Sequence, residues 1–402
     1  MIGIRSVTYH FPMCVTQEHI NQAARLSQLW DKAFYDIRTQ RLCLCPLSER
    51  ADIDSLKPLS ALCDMSSIRW FNVPIDPNHS AAPVELFGSA LSVLSEHRRA
   101  FVNILGITNG EIYPPTLERC ADLIRKTSVL SANGQDNFRL GVSVNVQPNG
   151  PFFPFTYSSG EMGFSIALEL TQEINEICVQ TQGKSLIEFR NAVLSKIIPQ
   201  IEHIDKLALM LAEREGIAFH GFDFSLAPII DENGSIITIL NRLGIYDFGR
   251  TGTLFATSFL TNILKHLASR FKSVGFSGVM YSLLEDLELC SINNKRGVTL
   301  DQVIALSTMC GCGVDMVPVY GKIKDEELSA ILLDVAGISC RLNKPLGVRI
   351  LPIPNYRRGQ SGFTSFHNDS DFIANTKIVN LDLNLLAELG TPFTYLDTSP
   401  RS

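Results

Sequence analysis

The sequence predicts an α/β fold. Three observations lead there: short apolar runs alternate with longer amphipathic ones, hydrophobic residues make up 45% of the 402 positions against 19% charged, and no low-complexity linker breaks the pattern. An alternation repeated this often argues for parallel strands joined by crossover helices, in an open sheet or a closed barrel. No internal repeat is visible. The length would allow two or three domains, but barrels of this size fold as one unit, and a single domain over residues 1–402 is expected. Residues 353–402, richer in Pro, Asn, Asp and Ser, read as a loop-rich tail packed on it.

The elements follow in order. Ile2–Tyr9 reads as the first strand. After Thr16, a plausible N-cap, Ile20, Ala23, Leu26, Trp30, Ala33 and Ile37 recur at helical spacing, and this helix should end before Thr39-Gln40-Arg41. Further strands are expected at Ile68–Val73, Phe101–Thr108, Phe138–Val146, Phe164–Leu168, Gly216–Leu226, Val274–Tyr281, Val314–Val319 and Leu346–Leu351. Helices are expected at Pro83–Arg98, Thr116–Val129, Leu186–Arg214, Thr253–Lys272, Leu300–Met309 and Glu326–Arg341, with Pro114-Pro115 as a start signal and Gly216 as a stop.

Charge and targeting signals narrow the function classes. Lys and Arg total 35 against 41 Asp and Glu, so the formal charge of −6 gives no strong electrostatic case for nucleic acid. No run of about 18 apolar residues is present to span a bilayer, and the first residues lack the pattern of a signal peptide. A cytoplasmic protein with reduced thiols at its ten cysteines is expected. Its partner would be a small molecule, with neither nucleic acid nor membrane, and a homo-oligomer is open.

The residues that could carry chemistry concentrate between His220 and Asp334. In His220-Gly221-Phe222-Asp223-Phe224-Ser225, strand alternation puts Asp223 and Ser225 on one face and His220 on the other, so His220 and Asp223 are not assumed to be a dyad. An acid at the end of a parallel strand suits ligand contact, and equally a loop cap. Gly249-Arg250-Thr251-Gly252-Thr253 opens a long helix whose free N–H groups, with Arg250, could hold an anion, although Gly252-Thr253 also reads as an ordinary cap. Glu285 and Asp286 are adjacent carboxylates, one of which is expected to be structural. Cys310-Gly311-Cys312 lacks the further ligands that zinc requires; its thiols pack inside a helix-to-strand turn, or Cys310 lines a pocket near Asp315. Arg349 sits in an apolar strand and needs a carboxylate or bound anion as partner. His367 and Asp369 complete the inventory as a His–Asp pair or a solvated loop.

Taken together, Ile4-Arg5-Ser6-Val7-Thr8, Thr39-Gln40-Arg41-Leu42, Pro151-Phe152-Phe153-Pro154, the stretch from Gly221 to Pro228, Gly252-Thr253-Leu254, the stretch from Gly275 to Met280, Glu285-Asp286, Cys310-Gly311, Asp315 and Arg349-Ile350-Leu351-Pro352 resemble the prokaryotic domain-of-unknown-function family seven-hundred-and-eleven. That resemblance implies a fold similar to the pyruvate formate-lyase group of glycyl-radical enzymes: a barrel of about ten strands with surrounding helices, enclosing a loop, its site inside. It implies no general reaction. Arg358-Gly359-Gln360-Ser361-Gly362-Phe363 echoes the radical loop only loosely, and no glycyl radical at Gly362 is expected. Asn241 and Cys312 stand where the family carries a carboxylate and a small polar residue.

The resulting expectation is an enzyme acting on a small anionic or amide-bearing metabolite by non-redox acid/base or nucleophilic chemistry, of lyase or hydrolase type. Asp223, Ser225, Glu285, Cys310 and Asp315 are the candidate catalytic groups, and His220, Arg250, Gly252, Thr253, Arg349 and Arg41 the candidate ligand contacts. Alternatives are a non-catalytic ligand-binding or accessory protein, and a divalent cation held by Asp223, Glu285 and Asp286.

Overall fold

The computed structural model describes residues 2–33, 37–49, 53–231, 233–366, 372–385 and 393–394. In chain order they form β1 (Gly3–His10), α1 (Gln17–Lys32), β2 (Ile37–Cys43), α2 (Lys57–Met65), β3 (Ile68–Ile75), α3 (Pro83–Glu96), β4 (Ala100–Thr108), β5 (Glu111–Ile112), α4 (Pro114–Thr127), β6 (Leu140–Val144), β7 (Gly163–Glu169), α5 (Thr171–Gln180), α6 (Leu186–Glu215), β8 (Ala218–Asp223), α7 (Ile236–Arg242), α8 (Thr253–Arg270), α9 (Leu287–Arg296), α10 (Leu300–Leu306), β9 (Gly313–Tyr320), α11 (Asp325–Leu342), β10 (Leu346–Ile353) and β11 (Phe393–Thr394). The strands share one sheet in the order β8-β7-β1-β2-β3-β4-β6-β10-β9, with the short β5 paired to β4 and β11 to β5.

The sheet is mixed, which corrects the expectation of parallel strands throughout. β1, β2, β3, β4 and β6 run parallel, as do β7 with β8 and β10 with β9. The seams β7–β1 and β10–β6 are antiparallel. No helix joins β6 to β7: the chain turns back through a loop at 145–162, so β7 meets β1 in the opposite sense. The predicted strand Val274–Tyr281 forms isolated bridges instead of a ladder. Ser273 pairs with Phe222 and Val279 with Leu226 on the β8 side, while Ser282 pairs with Asp315 of β9.

One helix was predicted too long. Thr16 caps α1, its hydroxyl accepting the His19 N–H while His19 reaches back, but the helix stops at Lys32 and Ile37 opens β2. Nothing in Ile-Arg-Thr-Gln-Arg-Leu-Cys alternates in hydropathy, yet its last five residues are buried. Thr39 and Arg41 point to an interior that is itself polar, so the usual inside-apolar signal fails there.

What fills that interior is the loop after β6. Ser6 and Thr8 of β1 donate to the Pro151 carbonyl at 3.2 Å each. The Asn72 amide of β3 donates to the Pro154 and Thr156 carbonyls, and Asn103 of β4 to Thr156. Phe155 lies against Gly141 of β6 and Gly347 of β10, where a Cβ would come within 2.6 Å of its ring; only glycine lets the strands close on that side chain. Five strands of the sheet thus grip one loop from a common face. Among the described residues, no helix is long and apolar enough to cross a membrane.

Candidate functional site

Between this loop and the sheet lies a cavity of about 40 Å³. A water needs roughly 10–15 Å³ by the same measure, so the space holds about three. Arg5, Arg41 and Arg349 face it with Glu285, Asp315, Cys312 and Ser282, and a wall of aromatic rings closes the other side. Trp70 packs edge-on against Phe101 at 5.3 Å and Phe372 at 5.0 Å, and Phe101 in turn against Phe138 and Phe153.

Irregularities in the strands aim these side chains. The β1–β7 ladder slips between Ile4 and Ser6, leaving Arg5 as the extra residue. The β2–β3 ladder slips so that Arg41 pairs with Trp70, skipping Arg69. In β10–β9, Val348 pairs with Val314 and Ile350 with Val317, so Asp315 and Met316 together oppose Arg349. Met316 accordingly has φ 55°, a conformation that long side chains avoid. Bulges of this kind redirect side chains and gather next to functional sites.

The charges form a chain. Arg5 contacts Glu169 and Glu285 at 3.3 Å each, Glu285 contacts Arg349 at 3.0 Å, and Arg349 grips Asp315 through two bonds of 2.7 and 2.9 Å. Arg38 approaches Glu169 at 4.0 Å. Burial pushes the Glu169 carboxyl above its usual range, against the pull of Arg5 and Arg38.

Arg41 stands apart from this chain. Its Nε donates to Thr39 at 2.9 Å and one Nη to the Pro151 carbonyl at 3.4 Å. Its guanidinium lies 5.4 Å from the Trp70 ring and 5.2 Å from that of Phe153. It has no carboxylate partner among the described residues. Burial first, then the neighbouring Arg5, lower its pKa to about 9, so it still carries its proton at neutral pH. Arg5 and Arg349 thus meet Glu169, Glu285 and Asp315, while Arg41 forms no ion pair among the described residues. Two polar atoms here also lack a partner, Ser282 Oγ on the cavity wall and Glu169 Oε1. An anion in the cavity would answer the unspent guanidinium donors.

Of the sequence-predicted residues, the chamber gathers Arg41, Glu285, Asp315 and Arg349. Asp223 and Ser225 lie elsewhere. The Asp223 carboxylate accepts from Ser225 N–H and O–H, Phe276 N–H and Ser277 N–H, which clamps the 275–278 loop and leaves it fully occupied. Asp286 is likewise closed by Ser235, Ile236, Glu288 and Leu289, capping α9. Asp223, Glu285 and Asp286 therefore serve three separate partner sets, and no cluster of three His, Cys, Asp or Glu fit for a metal occurs among the described residues. His220 packs edge-on against His10 at 5.3 Å, and burial lowers the pKa of both. Gly249 N–H donates to Thr253 Oγ1 at the start of α8, beside Gly252, and Arg250 is exposed; Arg250, Gly252 and Thr253 do not line the cavity.

The two cysteines divide their properties. The Cys312 S–H donates to Cys310; this bond, with the nearby Lys344 ammonium, lowers the Cys310 pKa, and the same bond together with burial raises that of Cys312. Cys312 faces the cavity and Cys310 does not. Gly362 lies under the Tyr356 ring. His367 and Asp369 fall outside the described residues. The site residues that sequence reasoning passed over are Arg5, Glu169 and the aromatic wall. The same signal that singled out Arg349, an arginine inside an apolar strand, was available for Arg5.

Fold and site together define an α/β protein whose mixed sheet holds an inner loop and an arginine-rich chamber. The chain belongs to the family described as Uncharacterised ACR (DUF711), which matches residues 14–366. It is similar to a UPF0210 protein of Pyrobaculum arsenaticum, 26% identical over 70% of this chain and 62% of that one. A UPF0210 protein of Pyrobaculum aerophilum is 27% identical over 59% of this chain and 55% of its own length, and one of Lacticaseibacillus casei 22% identical over 81% and 74%. The chain thus spans about three fifths of the two Pyrobaculum relatives.

Proposed function

We propose that the chamber binds the anionic group of a small metabolite and that Arg41 is its anchor. The observation that carries this is a buried guanidinium with spare donors and no ion pair among the described residues, in a space sized for a carboxylate group. Burying such a charge unpaired costs several kcal/mol, a cost that a bound anion offsets. Glu285, between Arg5 and Arg349, is the group best placed to move a proton to or from the ligand. A thiol nucleophile is less favoured: Cys310 carries the lowered pKa without facing the cavity, and Cys312 faces it while holding its proton. The chemistry this supports is non-redox proton transfer on a small acid.

A closed barrel similar to the pyruvate formate-lyase group belongs to the same proposal. The bridges of residues 273–282 to both edge strands, and the loop gripped inside, support it. A second reading is a binding or accessory protein without turnover, supported by the raised pKa of Cys312, the cysteine that faces the cavity. Thermal-shift measurements with a panel of small carboxylates, against wild type and Arg41→Met, test the first statement; activity assays on whichever acids bind separate the two readings. If no acid raises the melting temperature in an Arg41-dependent way, the anion reading is wrong.

A further inference from the structure

The chamber offers a ligand few polar partners and little room. The faces of Phe101, Phe138 and Phe153 give almost no hydrogen bonding, so polar contacts fall to Arg41 and to the wall that carries Ser282 and Glu285. About 40 Å³ holds some three waters, which limits the ligand to a few non-hydrogen atoms. A second polar group on so small an acid sits on the carbon next to the carboxylate.

Ser282 is the uncommitted group of that wall. It is buried, it ends the segment that bridges Asp315 of β9, and it directly precedes the turn Leu283–Glu285. A serine so placed commonly spends its hydroxyl on capping the turn that follows. This one makes no cap bond and has no hydrogen-bond partner. A buried hydroxyl left unsatisfied costs free energy that a bond to a ligand recovers.

Glu285 follows three residues on, lines the same small space, and donates its backbone N–H to the Ser282 carbonyl at 3.1 Å. Its Oε1 accepts from Arg349 at 3.0 Å and its Oε2 from Arg5 at 3.3 Å, which leaves each oxygen a further acceptor position. A serine that can donate and a carboxylate that can only accept together match an O–H group. An ammonium fits less well, because the charges of Glu285 and Asp315 are already met by Arg5 and Arg349.

We propose that the ligand of the chamber is a compact 2-hydroxy acid, its carboxylate on Arg41 and its hydroxyl accepting from Ser282 while donating to Glu285. This rests on the anion reading of the chamber and adds the second functional group of the ligand.

Glycolate, propionate and the amino acid glycine have the same number of non-hydrogen atoms and differ in carrying a hydroxyl, a methyl or an ammonium group beside the carboxylate-bearing carbon skeleton. The full chain is titrated calorimetrically with all three. Glycolate should bind about tenfold tighter or more than either of the others, since a site built to bond a hydroxyl rejects the analogue without it. Ser282→Ala should remove the gain over propionate and leave propionate binding unchanged, which also shows that the variant is folded; the wild-type ranking tests the proposal by itself should that variant not fold. If glycolate binds no tighter than propionate, if glycine binds tighter than glycolate, or if the glycolate advantage survives Ser282→Ala, the hydroxyl subsite is wrong and the chamber reading stands. If none of the three binds in a way that Arg41→Met abolishes, the chamber reading fails and the hydroxyl subsite falls with it.

Discussion

Two buried ionic regions of this molecule are built on opposite plans. Around Asp223 and Asp286, each carboxylate is surrounded by backbone N–H groups and hydroxyls until its acceptors are used. Around Arg41 the described neighbours supply two acceptors for five donors. The first plan ties loops together, and the second leaves an appetite for a ligand. Burial is complete at both, so burial alone does not mark a functional charge. The difference lies in whether the protein itself closes the hydrogen-bond shell.

Substitutions can break that comparison, and the largest effect is expected at the closed shell. Asp223→Ala strands three backbone N–H groups and a hydroxyl, each worth about 1–3 kcal/mol when unsatisfied, so a loss near 4 kcal/mol or more should appear in the denaturant midpoint. A midpoint close to wild type would mean the clamp contributes nothing. Gly311→Ala comes next. Its Cβ would meet the Gly278 backbone at 3.0 Å, where neither chain can yield cheaply, and about 2 kcal/mol should be lost.

Arg41→Met should behave in the opposite way. Removing an unpaired buried charge for an apolar side chain of similar length should leave stability unchanged or raise it by about 1 kcal/mol, while binding of small acids disappears. A strongly destabilised Arg41→Met would make the residue structural. The pH dependence sharpens the point. Arg41 binds an anion only when protonated and its pKa is lowered to about 9, so affinity should be level from pH 6 to 8 and fall as pH rises through about 9. The smallest effect is expected at Arg250, which is exposed and away from the cavity. Arg250→Ala should change stability by less than about 0.5 kcal/mol and leave acid binding as it is.

Much of the scaffold was legible beforehand. Strands such as β4, β9 and β10 carry β-branched, apolar runs, and α6 is framed by Ser185 and Gly216, so local chemistry announced them. β2 was not legible, because its inner face is polar and its signal resembles the ragged end of a helix. At the site, Glu285, Asp315 and Arg349 were named from types and positions, yet Asp223 looked equally suitable. Its four donors come from Ser225, two residues on, and from residues 53 and 54 positions away, a separation that no local pattern reports.

Hydropathy, caps and glycines along this chain were enough to determine an α/β protein, most of its elements, and the presence of arginines and acids in segments that would be buried. Tertiary structure alone decided the antiparallel seams, the bulges at Arg5, Arg69 and Met316, and which carboxylate each guanidinium would meet. The physical reason is one of range. Periodicity and capping act over a few residues, whereas the ion pairs of the chamber join side chains from several strands and one connecting segment, and only the folded arrangement shows that Arg41 meets no carboxylate among the described residues.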